Sequence, residues 1–465
     1  MRIDTAIKPK NPIDLSEIRA FVARYLDRKD LVICLRVNRD WFNDFVGHVW
    51  HTIDMIKDKK FVGIGPQVLH KYGHCIRQVF NILTFDNVKT LQHPKLAFIT
   101  SMGVINRINP YHRTLELDII RRCNATLTNL DFHGHAPPSN SSRKVHERDE
   151  NYFDIGILSS CLTSPSGSST VGTRLTSLSL TRVWFSHESF INLLRSSPTL
   201  RRLTLTKVAV VHYMSEFDVF RDSSVTSLCA SLSEITRPDP GLGWTPSLLH
   251  QFSRLEEWHL PAVDRPENWG SDSDFRCELR ECCPRLKALR FDQVGDTDKL
   301  SDLLLDSFIE PESCTLSAKN LSNSIILSLI SHLNTLTIII ITDKCTDAMA
   351  MRWLYLIPKS CSHLKVLSMR DLVLDIATVK EQQWSCGGLK ELHVRFKGLE
   401  DTQLIDGCIK DICNRRLKPY SINPGESISS QVLNHLLTFY ELTTLSLGTK
   451  NYSLPSPCCS WYPEA

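Results

Sequence analysis

The chain has 465 residues, 42% hydrophobic and 23% charged, too long for one small core and apolar enough for most of it to fold. Its 54 basic and 51 acidic residues leave a formal charge of +3, which argues against bulk nucleic-acid binding and against a membrane-surface role. The 16 cysteines are scattered with no CxxC pair, the pattern of reduced, buried thiols in a cytoplasmic or nuclear protein.

Residues 1–10 read as an N-terminal arm without the apolar run of a secretion signal, so no secretion is expected. Residues 11–55 carry a compact helical pattern. Ile18, Val22 and Leu26 keep a four-residue step, which predicts one helical face. Asp27 is placed to cap a second short helix with Asp30 in its first turn, and Asn38 to cap a third running through Trp41 and Phe45 towards Trp50. Three helices in about 40 residues stand at the lower limit of independent stability. The unit holds more large apolar groups than it can bury, so a partner or the rest of the chain is expected to cover some of them.

The stretch "EIRAFVARYLDRKDLVICLRVNRDWFNDFVGHVW" resembles an F-box. The resemblance rests on Glu17-Ile18, Val22 with Leu26 four later, Asp30-Leu31, Val37, Trp41 and the closing Val49-Trp50, with no gap from Glu17 to Trp41. The sequence departs from the family at its opening Leu-Pro, where Asp14-Leu15 stands and Pro12 lies upstream. The resemblance implies docking on a small Skp-type adaptor and through it on a cullin. Leu15, Ile18, Leu26, Leu31, Val37, Trp41 and Trp50 are the expected adaptor contacts, some of which hold the three helices together instead.

Beyond a linker with degenerate first repeats (56–133) and a Ser/Pro-rich, flexible insertion (134–173), one pattern recurs through 174–452. It is a leucine, two residues, an apolar residue, one residue and a third apolar residue. It reads "LTSLSL" at Leu175, "LRRLTL" at Leu200, "LEEWHL" at Leu255 and "LKALRF" at Leu286. It returns as "LNTLTI" at Leu333, "LKVLSM" at Leu364, "LKELHV" at Leu389 and "LTTLSL" at Leu442, with a weaker "LTNLDF" at Leu127. Ser/Cys/Pro turns such as "SSPTL", "CCPRL" and "SCSHL" precede the strands, and helix-like stretches such as "HESFINLLRS" lie upstream. Residues 453–465 form a tail.

This resembles an irregular leucine-rich repeat, in which stacking lets strand–helix units close a core that none can close alone. The resemblance puts a client protein on the strand positions between the leucines: Arg202, Glu257, His259, Arg290, Asp292, Arg370, Glu391, His393 and Arg395. Their mixed signs suit a polar protein or peptide.

Other chemistry is sparse. Asp131, His133 and His135 in "DFHGH" resemble a fragment of a binuclear metallophosphatase site, but the further ligand motifs it needs are missing. His70 and His74 in "HKYGH" lack the glutamate of a zinc protease, and "VGIGP" lacks the rest of a phosphate loop. Cys277, Cys282 and Cys283 read as structural thiols, Cys283 in a turn before a strand. The apolar run Ser324–Ile341 includes His332 and Asn334 and reads as a helix followed by a buried strand, not a membrane span. The expected fold is α/β: an N-terminal three-helix F-box followed by an irregular leucine-rich-repeat solenoid, a curved parallel sheet with outer helices. The expected role is substrate recognition for a cullin-RING ubiquitin ligase, without an active site, cofactor or metal. The alternative is a repeat scaffold with an F-box-like cap and no ligase role.

Overall fold

A computed structural model describes residues 13, 15–58, 61, 63–82, 85–105, 113–134, 153–162, 174–206, 208–211, 223–230, 251–260, 281–294, 312–318, 329–342, 356–375, 377–379, 384–397, 405–406, 410, 432, 436, 439, 441–447 and 450–453. The chain divides into two compact units, Met1–Ser215 and Glu216–Ala465.

The first unit opens with three helices, α1 (Ser16–Ala23), α2 (Arg28–Cys34) and α3 (Arg39–His51). Both expected caps are present. The Asp27 carboxylate accepts the Asp30 N–H at 2.8 Å, and the Asn38 side chain accepts the Trp41 N–H at 2.9 Å, each satisfying a donor that the helix leaves unpaired. Ala23, Leu31, Phe45 and Val49 form the core of this bundle, with Leu26, Cys34, Leu35, Trp41 and Trp50 packed against it. Its inner α1 face is Arg19 and Ala23, one residue out of phase with the Ile18–Val22–Leu26 face expected from hydrophobicity. Arg19 is buried because Asp44 of α3 takes its guanidinium, from Nε and Nη2 at 2.6 Å each, while Nη1 donates to the Ile13 carbonyl at 3.1 Å. An ion pair therefore holds α1 onto α3.

From α3 the chain turns directly into β1 (Thr52–Asp54), the first strand of a parallel sheet. It pairs with β2 (Gln78–Ile82), which pairs with β3 (Ser101–Ile105), and β3 with β4 (Asn129–His133). Next come β5 (Phe153–Asp154), β6 (Ser177–Thr181), β7 (Val183–Ser186), β8 (Arg202–Thr206) and β9 (Ala209–Val211). The main sheet continues β4–β6–β8, while β5, β7 and β9 form a second, small parallel sheet. Between strands lie α4 (Pro66–Tyr72), α5 (Phe85–Leu91), α6 (Arg113–Cys123), α7 (Ile155–Leu162) and α8 (His187–Ser196), of which α6, α7 and α8 pack side by side. Helix α7 lies inside the stretch expected to be a flexible insertion. Leu158, Cys161 and Leu162 are buried, so residues 155–162 serve as an outer helix of the array. Gly134 and β5 are also described; residues 135–152 and 163–173 of that insertion lie outside the described residues.

The second unit contains β10 (Ser227–Ala230), β11 (Glu257–Leu260), β12 (Ala288–Val294), β13 (Ser313–Ala318), β14 (Ile338–Ile341), β15 (Val366–Leu374), β16 (Glu391–Phe396), β17 (Thr444–Leu447) and β18 (Lys450–Ser453). From β10 to β17 each strand pairs in parallel with the next; β18 closes antiparallel on β17.

One backbone device recurs in both units. The carbonyl of the residue after the first apolar motif position accepts two successive N–H groups of the following repeat. Thr100 O takes Thr128 N and Asn129 N; Thr128 O takes Thr176 N and Ser177 N; Lys287 O takes Glu312 N and Ser313 N; Lys390 O takes Thr443 N and Thr444 N. Where the following residue is threonine its hydroxyl adds a third bond, as with Thr128 Oγ1 to Thr100 O at 3.0 Å and Thr443 Oγ1 to Lys390 O at 3.2 Å. The register aligns Leu289, Cys314, Ile339, Leu367, Leu392 and Leu445 as one buried row. Each unit is a leucine-rich-repeat array.

The register corrects one reading of the pattern and places a degenerate copy in one of its long gaps. Ile339, not Leu336, is the middle apolar residue of its repeat, so that motif is "LTIIII" from Leu336 and not "LNTLTI" from Leu333. The long gap after Leu286 holds a copy whose middle residue is Cys314, within "ESCTL". Repeats also begin earlier than expected, at β1, where Ile53 pairs with Val79 at the start of the first unit's own buried row.

Candidate interaction surfaces

The first candidate surface lies on the helical bundle. Helix α1 turns Ile18 and Phe21 outward, Leu15 before it and Tyr25 just after it are exposed too, and Phe21 and Tyr25 lie with ring centroids 5.2 Å apart. Val32 and Ile33 of α2, and Val37 after it, are exposed as well. Tyr25 is 75% exposed, Ile33 62% and Phe21 56%, values far from those of core residues.

Of the seven expected adaptor contacts, Leu15, Ile18 and Val37 are exposed. Leu31 is buried in the bundle core. Leu26 is half-buried against that core, and Trp41 stacks on Phe45 at 5.3 Å between centroids. Trp50 packs against the same core and stacks on Tyr72 at 5.7 Å, tying the bundle to α4. Leu31, Trp41 and Trp50 therefore hold the bundle together. Phe21, Tyr25, Val32 and Ile33 are the exposed groups missed in the sequence. For Phe21 and Tyr25 the signal was a second apolar phase running through α1, hidden because an arginine occupies the inner one.

The second candidate surface is the outward face of the second unit's sheet, where side chains alternate with the buried row. One outward row runs Ser227, Glu257, Ala288, Ser313, Ile338, Val366, Glu391 and Thr444. The adjacent row runs Cys229, His259, Arg290, Thr315, Ile340, Ser368, His393 and Ser446. Glu257, His259, Arg290, Glu391 and His393 thus share two rows of the sheet. The centre of that face is apolar, with Ile338, Ile340 and Val366 half-buried, which departs from an evenly polar surface. Asp292 lies outside the described side chains. Arg202 belongs to the first unit, in register with Ser177.

His393 sits between two charges. An Arg370 guanidinium N–H donates to its Nδ1 at 3.4 Å, and its Nε2 is 3.7 Å from the Glu391 carboxylate. Burial, then the Arg370 charge, holds its pKa below the usual imidazole value, the Glu391 contact opposing. Arg395 is part-buried with its Nε lacking a hydrogen-bond partner among the described residues. At the β10–β11 step, Cys229 Sγ lies 3.2 Å from His259 Nδ1.

Asp131 and His133 are adjacent on one strand face, Oδ2 to Nε2 at 3.2 Å, and His135 lies outside the described residues. Among the described residues no three His, Cys, Asp or Glu side chains gather as metal ligands. Of the ten described free cysteines, seven are buried. The Cys283 thiol donates to the Phe252 carbonyl at 3.7 Å and the Cys361 thiol to the Leu336 carbonyl at 3.0 Å, in the turns that enter the strands. No described helix is long and apolar enough to cross a membrane.

No protein-family model matches the chain, and no curated protein matches it. Two solved structures of leucine-rich-repeat proteins are similar to it. A TLR13–ssRNA13 complex aligns at 14% identity with a TM-score of 0.38, over 70% of this chain and 44% of that one. The mouse RP105/MD-1 complex aligns at 15% identity with a TM-score of 0.35, over 72% of this chain and 53% of that one. The chain spans about half the length of these structures. At these scores the likeness carries no argument about fold or function, and the fold rests on the strand register above.

Proposed function

We propose that the chain is a non-catalytic substrate-recognition subunit of a cullin-RING ubiquitin ligase, acting in the cytoplasm or nucleus. The helical bundle docks on a Skp-type adaptor, and the repeat array holds a client protein. The observation that supports this most is the uncovered apolar face of α1 and α2, on a bundle whose own core is already closed. Apolar groups this large stay exposed at a cost of about 25 cal/mol per Å² relative to burial, which a docking partner recovers. Rate enhancement comes from tethering: a client held beside a ubiquitin-charged enzyme meets it at raised effective concentration.

A second reading, a repeat scaffold with no ligase role, is favoured by Asp14-Leu15 in the place of the family's Leu-Pro. Size-exclusion chromatography of the full chain with a purified Skp-type adaptor separates the two. A complex is expected, and Phe21→Asp with Ile33→Asp is expected to abolish it without changing the circular dichroism. A folded chain that forms no complex overturns the ligase reading and leaves the scaffold.

A further inference from the structure

Most described thiols of this chain are chemically quiet. Burial pushes Cys123 up to about 11, Cys361 to about 11, and Cys314 and Cys386 to about 12, so they keep their protons at neutral pH. Cys229 is placed differently. On β10 its neighbours Leu228 and Ala230 are buried, while Cys229 stands half-exposed in an outward row, in register with His259 of β11. Its sulfur lies 3.2 Å from His259 Nδ1. Glu257 stands on the same strand as His259, two residues earlier, and Arg290 of β12 is in register on the far side of the imidazole.

We propose that Cys229 and His259 form a reactive thiol–imidazole pair, a modification site for peroxide-class oxidants and soft electrophiles on the outward face of the second unit's sheet. The imidazole Nδ1 takes the thiol proton, leaving a thiolate beside an imidazolium. With hydrogen peroxide, the thiolate attacks one oxygen; the S–O bond forms as the O–O bond breaks. Sulfur is oxidised by two electrons to the sulfenic acid and the peroxide is reduced. The departing hydroxide takes the imidazolium proton and leaves as water. Cys75 supplies an internal comparison: its sulfur is 3.4 Å from Nε2 of His74, but the two residues are adjacent in the chain and burial pushes that thiol up. The site requires neither adaptor nor client, so it stands or falls apart from the ligase reading.

The test is peptide mapping of the reduced full chain exposed to hydrogen peroxide with a 1,3-dione that traps sulfenic acids. Cys229 is expected to be labelled roughly tenfold faster than Cys34 or Cys75. His259→Gln is expected to bring Cys229 down to the rate of Cys34 at an unchanged unfolding midpoint. Iodoacetamide on the unsubstituted chain is an independent check. The Cys229 rate should hold between about pH 8 and about pH 6.5 while that of Cys34 falls roughly tenfold per unit. Equal rates at Cys229 and Cys34, a fast rate that survives His259→Gln, or parallel pH profiles for the two thiols overturn the proposal.

Discussion

Arg19 illustrates how a single buried charge shapes the N-terminal bundle. Its guanidinium reaches Asp44 and the Ile13 carbonyl, and Ser16 Oγ adds a 2.9 Å bond to the same carboxylate. Removing one partner leaves the other charge poorly solvated. Arg19→Met is expected to destabilise the bundle by about 3 kcal/mol, read from urea unfolding followed by tryptophan fluorescence, and Arg19→Met with Asp44→Leu by less. His393 makes a pH prediction. Its folded-state pKa lies below the usual 6.5 because of burial and Arg370. As pH falls, the unfolded chain therefore takes the proton first, and the stability that the neutral imidazole adds above 6.5 drains away below it. Arg370→Leu should raise the His393 pKa in an NMR titration and weaken that acid-side loss.

At the scale of elements, the repeat was legible where a leucine opens the motif in one register, even with Trp258 in the buried row, and was passed over or misplaced at Cys314 and Ile339. Cys314 fills that row as well as Leu289 does, yet a pattern built on leucine passes over it. The run of isoleucines ending at Ile341 satisfies the pattern in two registers, and only strand pairing decides that Ile339 and Ile341 face inward. Helix α7 was masked by the Ser- and Pro-rich sequence around it. On α1, the inner face was misread because hydropathy ranks arginine as a surface residue, whereas pairing with Asp44 makes it an interior one. The threonine relay is the element-level device open to direct test. Thr128→Val keeps the shape and deletes the hydroxyl that donates to Thr100 O, while both backbone bonds to that carbonyl remain. A loss of about 1 kcal/mol in unfolding free energy is expected, and a fully neutral substitution would assign the relay to the backbone alone.

The whole chain carries its two candidate surfaces on different units: the apolar helical face within Met1–Ser215, and most of the client rows within Glu216–Ala465. Under the proposed function this partition makes adaptor docking and client capture separable by substitution. The client face has an apolar centre of Ile338, Ile340 and Val366 flanked by Glu257, Arg290, Glu391 and His393. Binding energy concentrates at the part of an interface that is most fully dried, with charges at the rim setting orientation and association rate. Ile340→Asp places a charge on that centre and is expected to reduce client capture by a factor of about 30, equivalent to about 2 kcal/mol, with adaptor binding unchanged. Arg290→Ala, at the flank, should cost less affinity and mainly weaken the salt dependence of association. Phe21→Asp should do the reverse of Ile340→Asp, sparing the client and losing the adaptor. Ubiquitinated-peptide profiling in cells reads both at once, since either substitution alone should remove the same set of modified proteins. Disappearance of different sets from the two variants would mean that client choice is not made on the outward rows of this sheet.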